Sequence, residues 1–272
     1  MEKIVLKLGG SIITHKDVKN FPMTIEKIKT TANKYIRLTI LERLVNEIFT
    51  SNILPLIVVN GVGPFGHYLV KNWDLLPEKE IVHKSVAYLN EIVVDKFQKI
   101  GLPIDRYAPC ETCCYLGDGK YDIKKLFDFG AQTLNQKKIL STYGDIVPVA
   151  RDVKSRYGKY EVLSGDDLAV LLAELWGAEK IIMVLDVNGV YNKNPKKYKD
   201  ATKIPVIKAE DELNFLVEGD ETDVTGGIRK KAEKLQLAAK KGIKGQMISG
   251  LVENNLTNAL LGDETLGTLF IP

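Results

Sequence analysis

The sequence predicts an α/β fold, a three-layer αβα sandwich around a largely parallel sheet. Three observations carry that prediction. Short β-prone apolar runs recur along the 272 residues, helix-period apolar patterns separate them, and glycine-rich turns close several of the runs. The run Leu56-Ile57-Val58-Val59 is apolar at every position. It lacks the in–out alternation of a sheet wetted on one side, so it reads as a strand covered on both faces.

The elements follow in order. Ile4-Val5-Leu6 is the first run and stops at Gly9-Gly10. Leu38, Leu41, Leu44, Val45, Ile48 and Phe49 then share one face of a helix. The second run breaks at Gly61 and Gly63. Tyr88, Leu89, Ile92, Val93 and Phe97 mark another amphipathic helix, stopped by Gly101. Residues 138–149 are β-prone and lead into a polar stretch at 151–160 with Gly158 at its turn, a strand-and-hairpin region. Residues 168–176 favour helix and 181–185 another buried strand. A basic helix from Ile228, a strand around Met247-Ile248, a helix over 256–261 and a strand at 269–271 complete the series. No repeat, low-complexity tract or linker interrupts it. The chain therefore reads as one domain, 1–272, with a soft division at the hairpin into lobes 1–150 and 151–272.

Composition narrows the function. Hydrophobic residues make up 45% and charged residues 27%, enough for a sizeable core. Lys and Arg total 38 against 35 Asp and Glu, a net charge of +3. So small an imbalance argues against broad nucleic-acid binding. No uninterrupted apolar stretch reaches the roughly 18 residues of a membrane span, and the opening Met1-Glu2-Lys3 run lacks the apolar length of a signal peptide. A cytoplasmic chain without membrane contact is expected. Cys110, Cys113 and Cys114 are odd in number and crowded together, which is no disulfide framework. Cys110 and Cys113 form a C-x-x-C, but His15, His67 and His83 lie far off in sequence. Ordinary reduced thiols are expected, and no residue is assigned to a metal.

Chemistry concentrates in the glycine turns. In Lys7-Leu8-Gly9-Gly10-Ser11, glycines after a strand let backbone amides approach a phosphate, and a lysine adds compact positive charge. Gly61, Gly63 and Gly66, with Val62 between them and His67 after, follow a buried strand and lead into a helix start. Amides and helix dipole converge on an anion there. The spacing is not the dinucleotide fingerprint. Ser164-Gly165-Asp166-Asp167 opens a helix: Ser164 is a cap, and one of the two carboxylates is left to orient lysines or a water-bridged Mg²⁺. Asp186-Val187-Asn188-Gly189-Val190-Tyr191 ends a strand, followed by the basic loop Asn192-Lys193-Asn194-Pro195-Lys196-Lys197. Loops at the carboxyl ends of parallel strands are where α/β sheets bind ligands. Finally, Asp223-Val224-Thr225-Gly226-Gly227 runs into a helix carrying Arg229, Lys230 and Lys231, where positive charge opposes the helix dipole.

Taken together, in this order and across nearly the whole chain, these turns resemble the amino acid kinase family. G-x-G-x-F-G-H at 61–67 and D-V-T-G-G at 223–227 are similar to its isopentenyl phosphate kinase branch; fosfomycin kinases share the F-G-H element. The resemblance implies the αβα sandwich, ATP and Mg²⁺ as cofactors, a small anionic acceptor and a homodimer. It makes 1–150 the acceptor lobe and 151–272 the nucleotide lobe. It also assigns residues. Lys7, Lys16, His67 and Asp166 would be catalytic. Gly9, Gly10, Ser11, Asp186, Tyr191, Asn194, Pro195, Lys196, Gly227 and Lys231 would bind ATP. Gly61, Val62, Gly63, Gly66, His67, Gly144 and Gly165 would bind the acceptor. The chain departs from the branch at Asn60 (usually His), Val62, Pro64, Asn188 and Ile228, and lacks its glycine-and-glutamine pattern around residues 82–86. The expected reaction is ATP plus isopentenyl phosphate. The alternatives are a kinase for a phosphonate or another phosphate monoester, and a non-catalytic nucleotide sensor.

Overall fold

The computed structural model describes residues 2–15, 18–195, 197–213 and 227–272. Eight strands among them form the main sheet: β1 (Ile4–Leu8), β2 (Leu56–Asn60), β3 (Ile104–Arg106), β4 (Ile139–Tyr143), β5 (Lys180–Leu185), β6 (Val206–Lys208), β7 (Lys244–Ser249) and β8 (Thr268–Ile271). Their order is β6-β8-β7-β5-β1-β2-β4-β3, and the β7–β8 pair alone is antiparallel. The largely parallel sheet is as expected.

Strand period explains the layers. Side chains alternate across a sheet, so an all-apolar strand must bury both faces. Ile4, Leu6 and Leu8 enter one apolar cluster with Leu56, Val58, Ile182 and Val184, whereas Val5, Ile57, Val59, Ile181 and Met183 enter a second. The helices Leu38–Ser51, Ile81–Lys99 and Asn255–Leu260 contribute to the first cluster. Lys124–Asn135, Gly165–Trp176 and Gly227–Lys240 contribute to the second. Lys7 lies on the second face, in register with Val59 and Met183, and is almost wholly buried.

Some expectations change. Phe49 is exposed, although Leu41, Leu44, Val45 and Ile48 of its helix are buried. It stands at the rim of the apolar stripe, one residue past Ile48. The hairpin region is a strand pair, Asp145–Pro148 antiparallel to Tyr160–Leu163, and it spans the 150/151 lobe division. Strand β1 hydrogen-bonds both halves of the sheet, so the division is no break in packing. No described helix is long and apolar enough to cross a membrane.

Candidate active site

Strand β1 sits between β2 and β5, so the chain departs from it to either side. Such a switch point opens a crevice at the carboxyl ends of the strands. The Gly9-Gly10 and Gly61-Gly63 turns meet there. The Gly9 amide donates to the Val184 carbonyl at 2.8 Å, and the Gly61 amide to the Leu8 carbonyl at 2.6 Å. A Cβ on Gly10 would lie 2.7 Å from the Gly63 nitrogen, and one on Gly61 would lie 2.2 Å from the Gly10 nitrogen. The two loops therefore pack backbone against backbone, at a distance no side chain permits. Gly144 and Gly165 meet the same way, with a Gly144 Cβ falling 2.8 Å from the Gly165 nitrogen.

Gly63 adopts φ +48° and precedes the helix Pro64–Lys71, whose first residue is proline and whose start has no side-chain cap. Pro64 carries no amide proton, and the Phe65 and Gly66 amides turn back to the Val62 and Gly63 carbonyls at 3.1 and 3.3 Å, so what this helix start offers an anion is the positive end of its dipole. His67 is half-buried one turn in, its amide bonded to the Gly63 carbonyl at 2.9 Å. The Val62 side chain is buried in the core, and a Cβ on Gly66 would lie 2.5 Å from its Cγ2. Any part Val62 takes in the acceptor site falls to its backbone. The root of this loop is pinned from below. Asn60 Oδ1 accepts from Asn90 Nδ2 at 2.7 Å, and Asn90 Nδ2 also donates to Ser141 Oγ at 2.9 Å. Asn60 Nδ2 donates to the Gly61 carbonyl at 3.2 Å.

Opposite lies a charged triad. Asp166, in the first turn of Gly165–Trp176, holds Lys7 Nζ at 2.5 Å on one oxygen and Lys231 Nζ at 3.3 Å on the other. Burial alone would raise the Asp166 carboxyl. The charges of Lys7 and Lys231 outweigh it and hold the group well below the usual carboxylate range. Ser164 caps this helix as expected, accepting from the Asp167 amide at 3.1 Å, and donates to the Asp167 carboxylate at 2.6 Å. Asp167 also pairs with Lys234. Sequence reasoning passed over Lys234. The signal was its position, three residues after Lys231 and hence on the same helix face.

The segment expected to hold the nucleotide is partly joined to this centre. Ser11 Oγ donates to Asp186 Oδ1 at 2.8 Å, tying the first glycine loop to the end of β5. Tyr191 is half-buried in the pair Val190–Tyr191 with Lys203–Ile204, and Gly227 opens the helix that carries Lys231. Asn194 and Pro195 lie exposed in the next turn. Lys16, Lys196 and residues 223–226 fall outside the described residues.

The sequence model described as Amino acid kinase family matches residues 2–249. The chain is 31% identical to the isopentenyl phosphate kinase of Methanothermobacter thermautotrophicus, over 97% of each chain. It is 30% identical to that of Thermoplasma acidophilum, over 88% of this chain and 89% of the relative. Among solved structures, an isopentenyl phosphate kinase superposes with a TM-score of 0.78 at 28% identity, covering 98% of this chain and 99% of the other.

Proposed function

The chain belongs to the amino acid kinase family, and from that premise we propose that it transfers the γ-phosphoryl group of ATP to isopentenyl phosphate, giving ADP and isopentenyl diphosphate. The observation that carries this is the contact between the Gly9-Gly10 and Gly61-Gly63 turns, with Lys7 at the root of the first. Two anion-binding loops in backbone contact bring two phosphates together, and phosphoryl transfer asks for little else than in-line placement and positive charge on the moving group. The acceptor holds to the 1–150 lobe at Gly61, Gly63, Gly66 and His67, and ATP to the loops that Ser11, Asp186 and Lys231 anchor. A phosphate acceptor is already ionised near neutral pH, with a second pKa of about 6, so no strong general base is required.

Mg²⁺ fits this donor set as an ion held by the nucleotide. Both Asp166 oxygens are engaged by lysines, and Asp167 is engaged by Ser164 and Lys234. Reached through water, these carboxylates would suit Mg²⁺, which prefers phosphate oxygens and retained waters. Bound there, it would neutralise charge on the β- and γ-phosphates. Lys7 and Lys231 do the same from the protein side, while Asp166 keeps their ammonium groups in place.

ADP release, measured with Mg-ATP and a panel of isopentenyl phosphate, other short phosphate monoesters and a phosphonate, tests the reading. Isopentenyl phosphate should give the highest kcat/KM. Release of no ADP with any acceptor would leave a nucleotide sensor; preference for the phosphonate would move the chain to the fosfomycin-type reaction.

A further inference from the structure

Cys110, His83 and Asp145 are widely separated in sequence, yet the fold gathers them. Cys110 lies on the short helix Pro109–Thr112, His83 in the first turn of Ile81–Lys99, and Asp145 opens the strand Asp145–Pro148. Their ligand atoms, one thiol sulfur, one ring nitrogen and one carboxylate oxygen, all lie within 4.8 Å of one another. His83 Nδ1 is 2.8 Å from Asp145 Oδ2. The Ile146 amide donates to Asp145 Oδ1 at 2.8 Å and the Cys110 amide to Oδ2 at 3.2 Å, so the carboxylate is fixed by its own backbone surroundings. Asp145 is fully buried, while His83 and Cys110 remain partly open, which leaves an entry path.

We propose that these three residues form a binding site for a zinc-like divalent cation, with one coordination position left open. The donor set decides the class of ion. A thiolate, an imidazole and a carboxylate together suit Zn²⁺, whereas Mg²⁺ and Ca²⁺ want oxygens alone. Tetrahedral zinc with bonds of about 2.0–2.3 Å sets its ligand atoms about 3.3–3.8 Å apart. The observed cluster reaches that spacing by shifts of about an ångström. On binding, Cys110 releases its thiol proton and His83 Nδ1 the proton it shares with Asp145, both to solvent. The amide bonds to Asp145 are the outer shell that such sites need.

The competing account is a buried His–Asp pair that merely braces the hairpin, with Cys110 beside it by chance. Co²⁺ distinguishes the two. Added to the purified, nucleotide-free full chain, it should produce a thiolate-to-cobalt charge-transfer band with the intense visible bands of tetrahedral coordination. Both should saturate at one ion per chain and be displaced by Zn²⁺. Cys110→Ser should abolish the charge-transfer band, and His83→Gln should weaken binding at least tenfold. In the parent chain, Zn²⁺ should slow alkylation of Cys110 by iodoacetamide at least tenfold, read by mass spectrometry, and leave Cys114 unaffected. That arm requires no variant to fold. Absence of the band, its persistence in Cys110→Ser, or alkylation of Cys110 indifferent to Zn²⁺ would overturn the site.

Discussion

Asp166→Asn removes one negative charge and almost no volume from a place where two ammonium groups converge. At the separations of 2.5 and 3.3 Å to Lys7 and Lys231, each attraction is about 5–7 kcal/mol at an effective dielectric of about 20. Desolvation of the three groups offsets much of this. Breaking a buried pair by deleting one partner costs about 3–5 kcal/mol, because the remaining charge is stranded. Lys7 is 4% exposed and cannot turn outward to water without leaving its strand. At about 2–4 °C per kcal/mol for a chain approaching this size, the variant should melt roughly 6–20 °C below the parent. The pH dependence has a definite sign. A carboxylate whose folded pKa is depressed contributes stability above its unfolded pKa of about 3.9, and loses it as pH falls through the folded value. The gap between parent and variant should therefore persist from neutrality to about pH 4 and narrow only in stronger acid. Differential scanning calorimetry across that range measures it, with kinase activity followed in parallel. A variant melting within about 2 °C of the parent at pH 7 would show that Asp166 does not hold the lysines electrostatically.

Two kinetic predictions separate the substrates. Lys7→Met should lower kcat by about 10²-fold or more, with a smaller rise in the KM for ATP, because its charge is aimed at the transferring group; initial rates at varied ATP check this, and a folded variant with near-parental kcat removes Lys7 from the chemistry. His67→Ala should lower kcat/KM for the acceptor roughly ten- to a hundredfold, the cost of a hydrogen bond to a charged group, while ATP affinity stays at the parent's. Separate titrations with ATP and with acceptor decide the matter, since weakened ATP binding with unaltered acceptor kinetics would put the two substrates in the opposite lobes.

The glycine turns were legible in the sequence because the contacts they make exclude every other residue. Gly10 against Gly63, and Gly144 against Gly165, leave no space for a Cβ, so the letters themselves record the approach. The buried strands were legible for a similar reason: the unbroken apolar runs at residues 56–59 of β2 and 181–185 of β5 have only one sheet environment that satisfies them. Ile104–Arg106 was not legible, being three residues long with one buried position. The helix Lys124–Asn135 was missed because its buried face carries Gly130 and Thr133 beside Leu126 and Leu134, while Phe129 is exposed, so the apolar letters do not mark the face. Charged partners were hardest. Lys234 reads as part of a solvated basic run until the fold sets Asp167 opposite it. His83 was discounted for its sequence distance from Cys110, and the return of the chain at Asp145 makes that distance irrelevant.

The arrangement around Asp166 also explains how a kinase site is both stable and cationic before substrates arrive. Lys7 comes from the first strand and Lys231 from a late helix, so their attraction to one carboxylate joins the two ends of the sequence at the crevice. Two ammonium groups against one carboxylate leave that triad with an excess positive charge, while Asp167 and Lys234 beside it balance. In the proposed reaction this excess stands where donor and acceptor phosphates would otherwise repel each other. It is too little to neutralise both, so the proposed reaction calls for the loop amides and a nucleotide-borne Mg²⁺ beside the lysines. A third lysine in place of Asp166 would add charge but strand three cations in a buried crevice. The carboxylate is therefore what lets the lysines be there at all.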